Sequence, residues 1–396
     1  MSSKRFNIFL KDQVKSFNKI IEVDSDKSIS IRSFLISAIS HNISKIKNSL
    51  ESEDVFSTIK CLRKLGVKIT KKKERSYIVY GKGLGSLFVK RNTNLNFGNS
   101  GTLARLLIGI LSSTPNIDVK LAGDHSLNKR SMRKLIDLMS QFGATFLPKG
   151  KFKFPIRMIS SNMPIGINYL SGVSAQLKSA VIFAGLNSFG ETEITENLRS
   201  RNHTEKMLVK NNQALKIVGR KKNIIKVFGK KYLYPINIKV PGDPSSAAFM
   251  TALTLLNKKS ILKVKNVGLN PTRIGFYNLL MKQGAKIKFT NIRISNNERI
   301  GDIVIKSSKL KPIKASKEYY VSATDEYPIL FSMAALIKGT STFKGIGDLA
   351  NKESNRIKEM QKILGQIGVK TIFSNNTLKI FGKGMISGKN KKLLVL

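Results

Sequence analysis

A repeated α/β architecture is what this 396-residue sequence predicts, on three observations. Five strongly apolar helical runs open on a small or acidic polar cluster, at Ser28, Gly101, Ser174, Ser245 and Asp325, roughly 71–80 residues apart. Each is followed by a short β-like run and then by a second, more polar helical run. Four of these second runs end in a glycine directly before Val or Ala, at Gly66, Gly143, Gly284 and Gly368, a helix stop leading into β-formers. Each unit therefore reads strand, helix, strand, helix, strand, strand, and 41% hydrophobic content supplies enough core for two domains.

The first unit opens on "DKSISIRSFLISAIS", where Ile31, Phe34, Leu35, Ala38 and Ile39 recur at helical spacing. Lys27 stands at that helix start and Arg32 one turn further in, against the partial positive charge of the terminus. The expectation is an awaited anion that belongs to a ligand rather than to a neighbouring side chain. "SEDVFSTIKCLRKLGV" supplies the unit's second helix. The next units pair "NSGTLARLLIGIL" with "RSMRKLIDLMSQFGA", then "SAQLKSAVIFAGL" with "HTEKMLVKNNQALKI". The last two pair "PSSAAFMTALTLL" with "NPTRIGFYNLLMKQGA" and "DEYPILFSMAALI" with "KESNRIKEMQKILGQIGV". The first helix of each unit is apolar nearly all round, so it is expected to be buried with only its N-terminal end reaching solvent. Helix N-termini carry unsatisfied N–H groups and partial positive charge, so several converging on one place form an anion site. Ser, Asn, Gly and Asp at one terminus are ordinary caps. Lys27, Arg32, Arg105, Arg130, Gln176 and Lys352 near these starts are more than capping needs.

Composition removes several classes of function. One cysteine, Cys61, and three scattered histidines, His41, His125 and His203, leave neither a disulfide framework nor a Cys/His metal spacing. No metal or cofactor is expected, and a cytoplasmic location is. The start has no continuous apolar leader, and runs such as "SAAFMTALTLL" are too short to span a bilayer, so no membrane is expected. Lys and Arg outnumber Asp and Glu 70 to 24, a formal charge of +46 that attracts polyanions. The basic residues are spread over helices, strands and loops, with no aromatic ladder, RNA-recognition signature or zinc-finger spacing. The surplus is read as suiting an anionic substrate, with no nucleic acid.

The motifs "DKSISIR", "GNSGTLARLL", "GDHSLNKRSM", "SAQLKSA", "SRNHTEKM", "VPGDPSSAAF", "NPTR", "DEYP" and "KESNR" occur in the order and spacing of the 5-enolpyruvylshikimate-3-phosphate synthase family, from about residue 20 to 382. This resemblance implies the two-domain enolpyruvyl transferase fold, an inside-out α/β barrel of βαβαββ repeats with a cleft between the domains. The expected division is 1–24 plus 240–396 for one domain and 25–239 for the other. The implied reaction moves the carboxyvinyl group of phosphoenolpyruvate to the 5-hydroxyl of shikimate 3-phosphate, releasing phosphate, in the shikimate pathway to aromatic amino acids. A monomer acting on these two small anions is expected.

The resemblance also implies residue roles. Lys27 contacts phosphoenolpyruvate and the reacting hydroxyl, and Ser28 and Arg32 bind the shikimate carboxylate. Asn99, Gly101 and Thr102 form the turn that approaches phosphoenolpyruvate, with Arg130 and Arg356 clamping it. Ser174 and Ser200 hold the shikimate phosphate, Gln176 lies near both ligands, and Lys352 adds a charge from the opposite domain. Asp325, Glu353 and Lys27 carry the acid–base chemistry, Asp325 taking the hydroxyl proton and Glu353 or Lys27 protonating the methylene carbon. Asp325 and Glu353 can equally cap their helices. Asp243 reads as a cap, His203 as a helix start lining the site, and His125 and Cys61 as structural.

Two departures qualify the likeness. Asn355 stands where the family has Asp, and at the observed spacing a sixth unit begins just past Leu396. The chain is therefore expected to be a truncated form, its sixth repeat incomplete and its activity weak or absent. The alternatives are UDP-N-acetylglucosamine enolpyruvyl transferase, which needs a reactive cysteine in the second unit, and an RNA-binding or RNA-end-processing protein favoured only by charge.

Overall fold

The computed structural model describes residues 14–90, 92–219, 223–352 and 354–384. Among them are twelve α-helices and five four-stranded sheets. The helices are α1 (Lys27–Ile39), α2 (Glu53–Lys64), α3 (Gly101–Ser112), α4 (His125–Lys129), α5 (Arg133–Gln141) and α6 (Ala175–Leu186). They continue as α7 (His203–Leu208), α8 (Pro244–Leu256), α9 (Gly275–Lys282), α10 (Tyr319–Ala323), α11 (Tyr327–Leu336) and α12 (Arg356–Gln366). The short α4 and α10 have no counterpart in the sequence reading.

All five sheets share one pattern, a parallel pair followed by two antiparallel strands, and in three of them the parallel pair is joined across an apolar helix. Parallel neighbours need a crossover, which α3, α6 and α11 supply within their own units, whereas α1 and α8 follow strands that pair in another unit. Two of the lead strands are exchanged. The strand Asn18–Glu22, which runs straight into α1, pairs with Ile261–Gly268 of the fourth unit. In return Asn237–Lys239, which runs into α8, pairs with Ile43–Lys47 of the first unit. The chain thus crosses twice between two bodies, each with its own hydrophobic core, one drawn from Ile29 to Val240 and the other from Ala247 to Ile380.

Local chemistry accounts for the element ends. Gly66, Gly143, Gly284 and Gly368 have φ of 82°, 92°, 90° and 74°, the left-handed residue that ends a helix and that glycine adopts without a Cβ clash. Two hairpins turn on Asn-Asn, at Asn296–Asn297 and Asn375–Asn376, with positive φ at both residues, as a two-residue turn requires. In α1 every residue from Ile29 to Ile39 is buried, and Ser30 and Ser33 return their hydroxyls to the carbonyls of Asp26 and Ile29.

Burial of the unit-opening helices is uneven. α1, α3 and α6 are enclosed, as expected from their composition. α8 leaves Phe249 61% and Met250 43% exposed, and α11 leaves Leu336 41% exposed.

Helices α3 and α6 approach so closely that a Cβ on Gly109 would lie 2.5 Å from the Ala180 carbonyl oxygen and 2.7 Å from its Cα. Both are backbone atoms and neither can step aside. Helix propensity alone favours Ala over Gly by about 1 kcal/mol. Gly109→Ala is nevertheless expected to destabilise the fold by about 1–3 kcal/mol, the cost of overpacking a filled core. Urea unfolding of the two proteins checks this, and a stabilised variant would mean that the helices are free to separate.

Candidate functional site

The starts of α1, α3, α6, α8 and α11 carry the residues singled out above, and four of the five are capped by a side chain. Asp26 accepts from the Ile29 amide, Ser100 from Leu103, Ser174 from Leu177 and Asp243 from Ser245. α11 begins at Glu326 with no side-chain cap. Asp325 is therefore not a cap, and its carboxylate is available for other partners. Asn355 caps α12 through the Lys358 amide, so the departure from Asp leaves the cap in place.

Two starts meet directly. The Gln176 amide on α6 donates to the Thr102 hydroxyl on α3 at 2.9 Å. Next to them, a Cβ on Gly101 would come within 2.7 Å of Arg130 Nη1 and 2.8 Å of Arg105 Nη1. Gly101, Thr102, Arg130 and Gln176 are thus one patch in which glycine lets two guanidinium groups approach the backbone. Asn99 reaches Asp124, the cap of α4, at 2.7 Å.

The first helix start is arranged otherwise than expected. Lys27 Nζ is 3.0 Å from Asp54 in the first turn of α2, so a neighbouring carboxylate does face it. Ser28 is half-buried beside it and its carbonyl accepts from Arg32 Nη1 at 3.1 Å. Arg32 is only 3% exposed and also donates to Thr204 at 2.9 Å and Ser179 at 3.3 Å. Burial draws its pKa down to about 10, with Glu205 and Asp26 pulling the other way. Ser200 is buried and gives both its amide and its hydroxyl to Glu196.

The remaining charges gather where the two bodies touch. Asp325 lies 2.6 Å from Arg201, 3.5 Å from Arg356 and 3.7 Å from Arg273. Arg201 is the largest of the influences that hold its carboxyl far below the usual range, burial opposing them. Arg273, 3% exposed, also lies 3.0 Å from Asp243, 3.5 Å from Glu326 and 3.7 Å from Asp26. Its guanidinium and Glu326 both bond the Ser245 hydroxyl. Burial raises Asp243 and Glu326; burial is also the largest single influence on Asp26, yet Arg273, His203, the Ile29 amide and Arg201 together hold it below its ordinary value. Lys352 is 2.7 Å from Asp348, which also accepts from Tyr320. Glu353 lies outside the described residues.

Arg201, Arg273 and Asp54 were missed as site members by the sequence reading. Each sits in or beside a quoted motif, "SRNHTEKM", "NPTR" and "SEDVF", but the partner that gives it meaning is distant in sequence. His203 pairs with Glu298 at 2.7 Å across the two bodies. Cys61 is buried on α2 with its thiol pushed up to about 12 by burial. Among the described residues no group of three or more His, Cys, Asp or Glu is placed to hold a metal, and no helix is long and apolar enough to cross a membrane.

Removing the Arg273 charge leaves several carboxylates buried without it, so Arg273→Met is expected to cost about 3–5 kcal/mol near neutral pH. In the parent Asp26 is held low, so its contribution is present above the ordinary carboxylate range and lost as pH falls. In the variant the unpaired carboxylates titrate higher, so the deficit narrows as pH falls towards about 4. Urea unfolding at several pH values reads this directly, and a deficit constant with pH contradicts it.

Comparison with known proteins adds three concordant findings. The EPSP synthase family, 3-phosphoshikimate 1-carboxyvinyltransferase, matches residues 11–391. A relative of that name from Paramagnetospirillum magneticum is 37% identical over 92% of this chain and 82% of its own, and one from Bacillus subtilis is 35% identical over 96% and 87%. The solved EPSP synthase of Acinetobacter baumannii superposes with a TM-score of 0.80 at 34% identity, over 94% of this chain and 84% of that one. With match, identity and shape agreeing over nearly its whole length, the chain belongs to the EPSP synthase (3-phosphoshikimate 1-carboxyvinyltransferase) family.

Proposed function

We propose that the cleft formed by these helix starts binds phosphoenolpyruvate and shikimate 3-phosphate side by side, and that the chain joins them as its family does. The 5-hydroxyl oxygen of shikimate 3-phosphate attacks C2 of phosphoenolpyruvate while C3 gains a proton. The resulting tetrahedral adduct loses phosphate and a C3 proton, leaving an enol ether. Both substrates are polyanions, and two like unit charges about 4 Å apart repel by roughly 4 kcal/mol at an effective dielectric near 20. Guanidinium and ammonium groups from both bodies answer that repulsion.

The observation that carries this reading is Asp325 in contact with Arg201, Arg273 and Arg356. Without substrates the carboxylate serves as counter-ion to guanidiniums from both bodies. Anionic substrates take over Arg201 and Arg356, and Asp325 is released, its pKa rising towards a useful base for the 5-hydroxyl. Lys27 exchanges Asp54 for phosphoenolpyruvate in the same way, and with Glu353 supplies the proton to C3. Arg130 and the Asn99–Thr102 turn hold phosphoenolpyruvate, with Gln176 between the ligands. Ser28 and Arg32 take the shikimate carboxylate, and Ser174, Ser200 and Lys352 its phosphate. Residues 25–239 form one domain, and 1–24 with 240–396 the other. A monomer working on these two small substrates in the cytoplasm completes the proposal. The buried, high-pKa Cys61 is unsuited to the reactive-cysteine chemistry of the UDP-N-acetylglucosamine alternative.

Phosphorus NMR of the chain with both substrates tests this: inorganic phosphate and the enol ether are expected together, and neither from phosphoenolpyruvate alone. A methyl on Gly101 displaces Arg130 and Arg105. Gly101→Ala is therefore expected to raise KM for phosphoenolpyruvate about tenfold while KM for shikimate 3-phosphate stays within about threefold. Equal changes in both would remove Gly101 from the phosphoenolpyruvate side.

A further inference from the structure

Behind α6 lies a buried ionic cluster that the transfer chemistry leaves unused. Lys178 Nζ is 2.8 Å from Glu196 Oε1 and 2.6 Å from Glu205 Oε1, with all three side chains at most 1% exposed. A cluster this dry is poor value for stability, since apolar residues of the same volume usually serve as well or better. What surrounds it gives it another use. Glu196 Oε1 also accepts the Ser200 amide at 3.1 Å and hydroxyl at 2.9 Å, and its other oxygen accepts from Asn223 at 2.7 Å. Glu205 follows Thr204 on α7, and Thr204 accepts from Arg32 and lies 2.8 Å from the Ser179 hydroxyl. Ser179 is the residue after Lys178 and takes a second Arg32 donor.

We propose that Lys178 is a positioning residue for shikimate 3-phosphate: by offsetting one of the two negative charges of Glu196 and Glu205 it lets the Ser200 hydroxyl that Glu196 holds turn to the phosphate of that substrate, and leaves Arg32 to its carboxylate. The inference rests on the substrate assignment above. With Lys178 absent, Glu205 draws the Arg32 guanidinium towards itself, and Glu196 presents an uncompensated negative charge directly behind Ser200. Both changes act against an anion on this side of the cleft, and neither touches the Gly101–Arg130 patch.

Calorimetric titration of the full chain with shikimate 3-phosphate, paired with KM for each substrate, tests this. Lys178→Met is expected to weaken shikimate 3-phosphate binding about tenfold or more, with KM for phosphoenolpyruvate within about threefold. Because the single variant can lose the fold, Lys178→Met with Glu196→Gln is the companion. It keeps the charge balanced and leaves Glu205 to compete for Arg32, so binding stays about tenfold below the parent. A folded variant with parental affinity for shikimate 3-phosphate, or one that loses both substrates equally, overturns the inference alone. A parent chain that binds no shikimate 3-phosphate overturns the substrate assignment and this inference with it.

Discussion

One buried guanidinium, that of Arg273, meets carboxylates at the starts of three helices. Asp26 caps α1, Asp243 caps α8, and Asp325 and Glu326 stand at the entry to α11. α1 belongs to one body, and α8 and α11 to the other, so this cation ties the two bodies together at their helix starts. The double crossing of the chain runs through the same place: the Asp26 amide bonds the Pro241 carbonyl, and the Asp243 amide that of Asp24. Backbone connection and charge therefore reinforce one another where α1 and α8 begin. Helix starts that hold each other in this way can keep their remaining N–H groups and side chains turned towards a ligand.

Much of this was legible in the residues. The recurrence of apolar helices with polar starts led to five units because each must bury one kind of helix and end it with a left-handed glycine. The serine and aspartate caps of α1, α3, α6 and α8 follow from the same local chemistry. What stayed hidden depends on contacts far apart in sequence. Nothing in "NKIIE" itself says that it pairs with the fourth unit rather than with the strand that follows α1, because a strand's own alternation specifies a face and not a partner; only the family resemblance grouped residues 1–24 with 240–396. Asp54 as the counter-ion of Lys27, and Arg201 and Arg356 as those of Asp325, are likewise settled by folding. The Asn-Asn turns at Asn296 and Asn375 were readable and passed over, since two asparagines at positive φ are a standard hairpin signal. The exposed flank of α8 was not readable, because apolar composition announces a wish for burial and not whether a neighbour supplies it.

Several groups of the candidate site are paired within the chain. Lys27 leans on Asp54, Asp325 on Arg201 and Arg356, and the Ser200 hydroxyl on Glu196. Each of these pairings joins a group that we propose for substrate binding or catalysis with a neighbour of opposite charge or with a hydrogen-bond acceptor. Binding two polyanions then becomes an exchange of counter-ions rather than the transfer of bare charges into a dry cleft, whose desolvation would be far more costly. In the proposed function the same exchange turns one carboxylate from a counter-ion into a proton acceptor.

That switch is the most exposed point of the account, and it can be watched at one atom. Carbon-13 NMR of the chain labelled at its aspartate carboxyls, with the Asp325 signal assigned by Asp325→Asn, gives the titration of this group directly. Without ligand the signal is expected to stay ionised well below the usual carboxylate range, and with saturating shikimate 3-phosphate or phosphoenolpyruvate its midpoint is expected to move up. A midpoint unmoved by either substrate at saturation would contradict the release of Asp325 from its guanidinium partners.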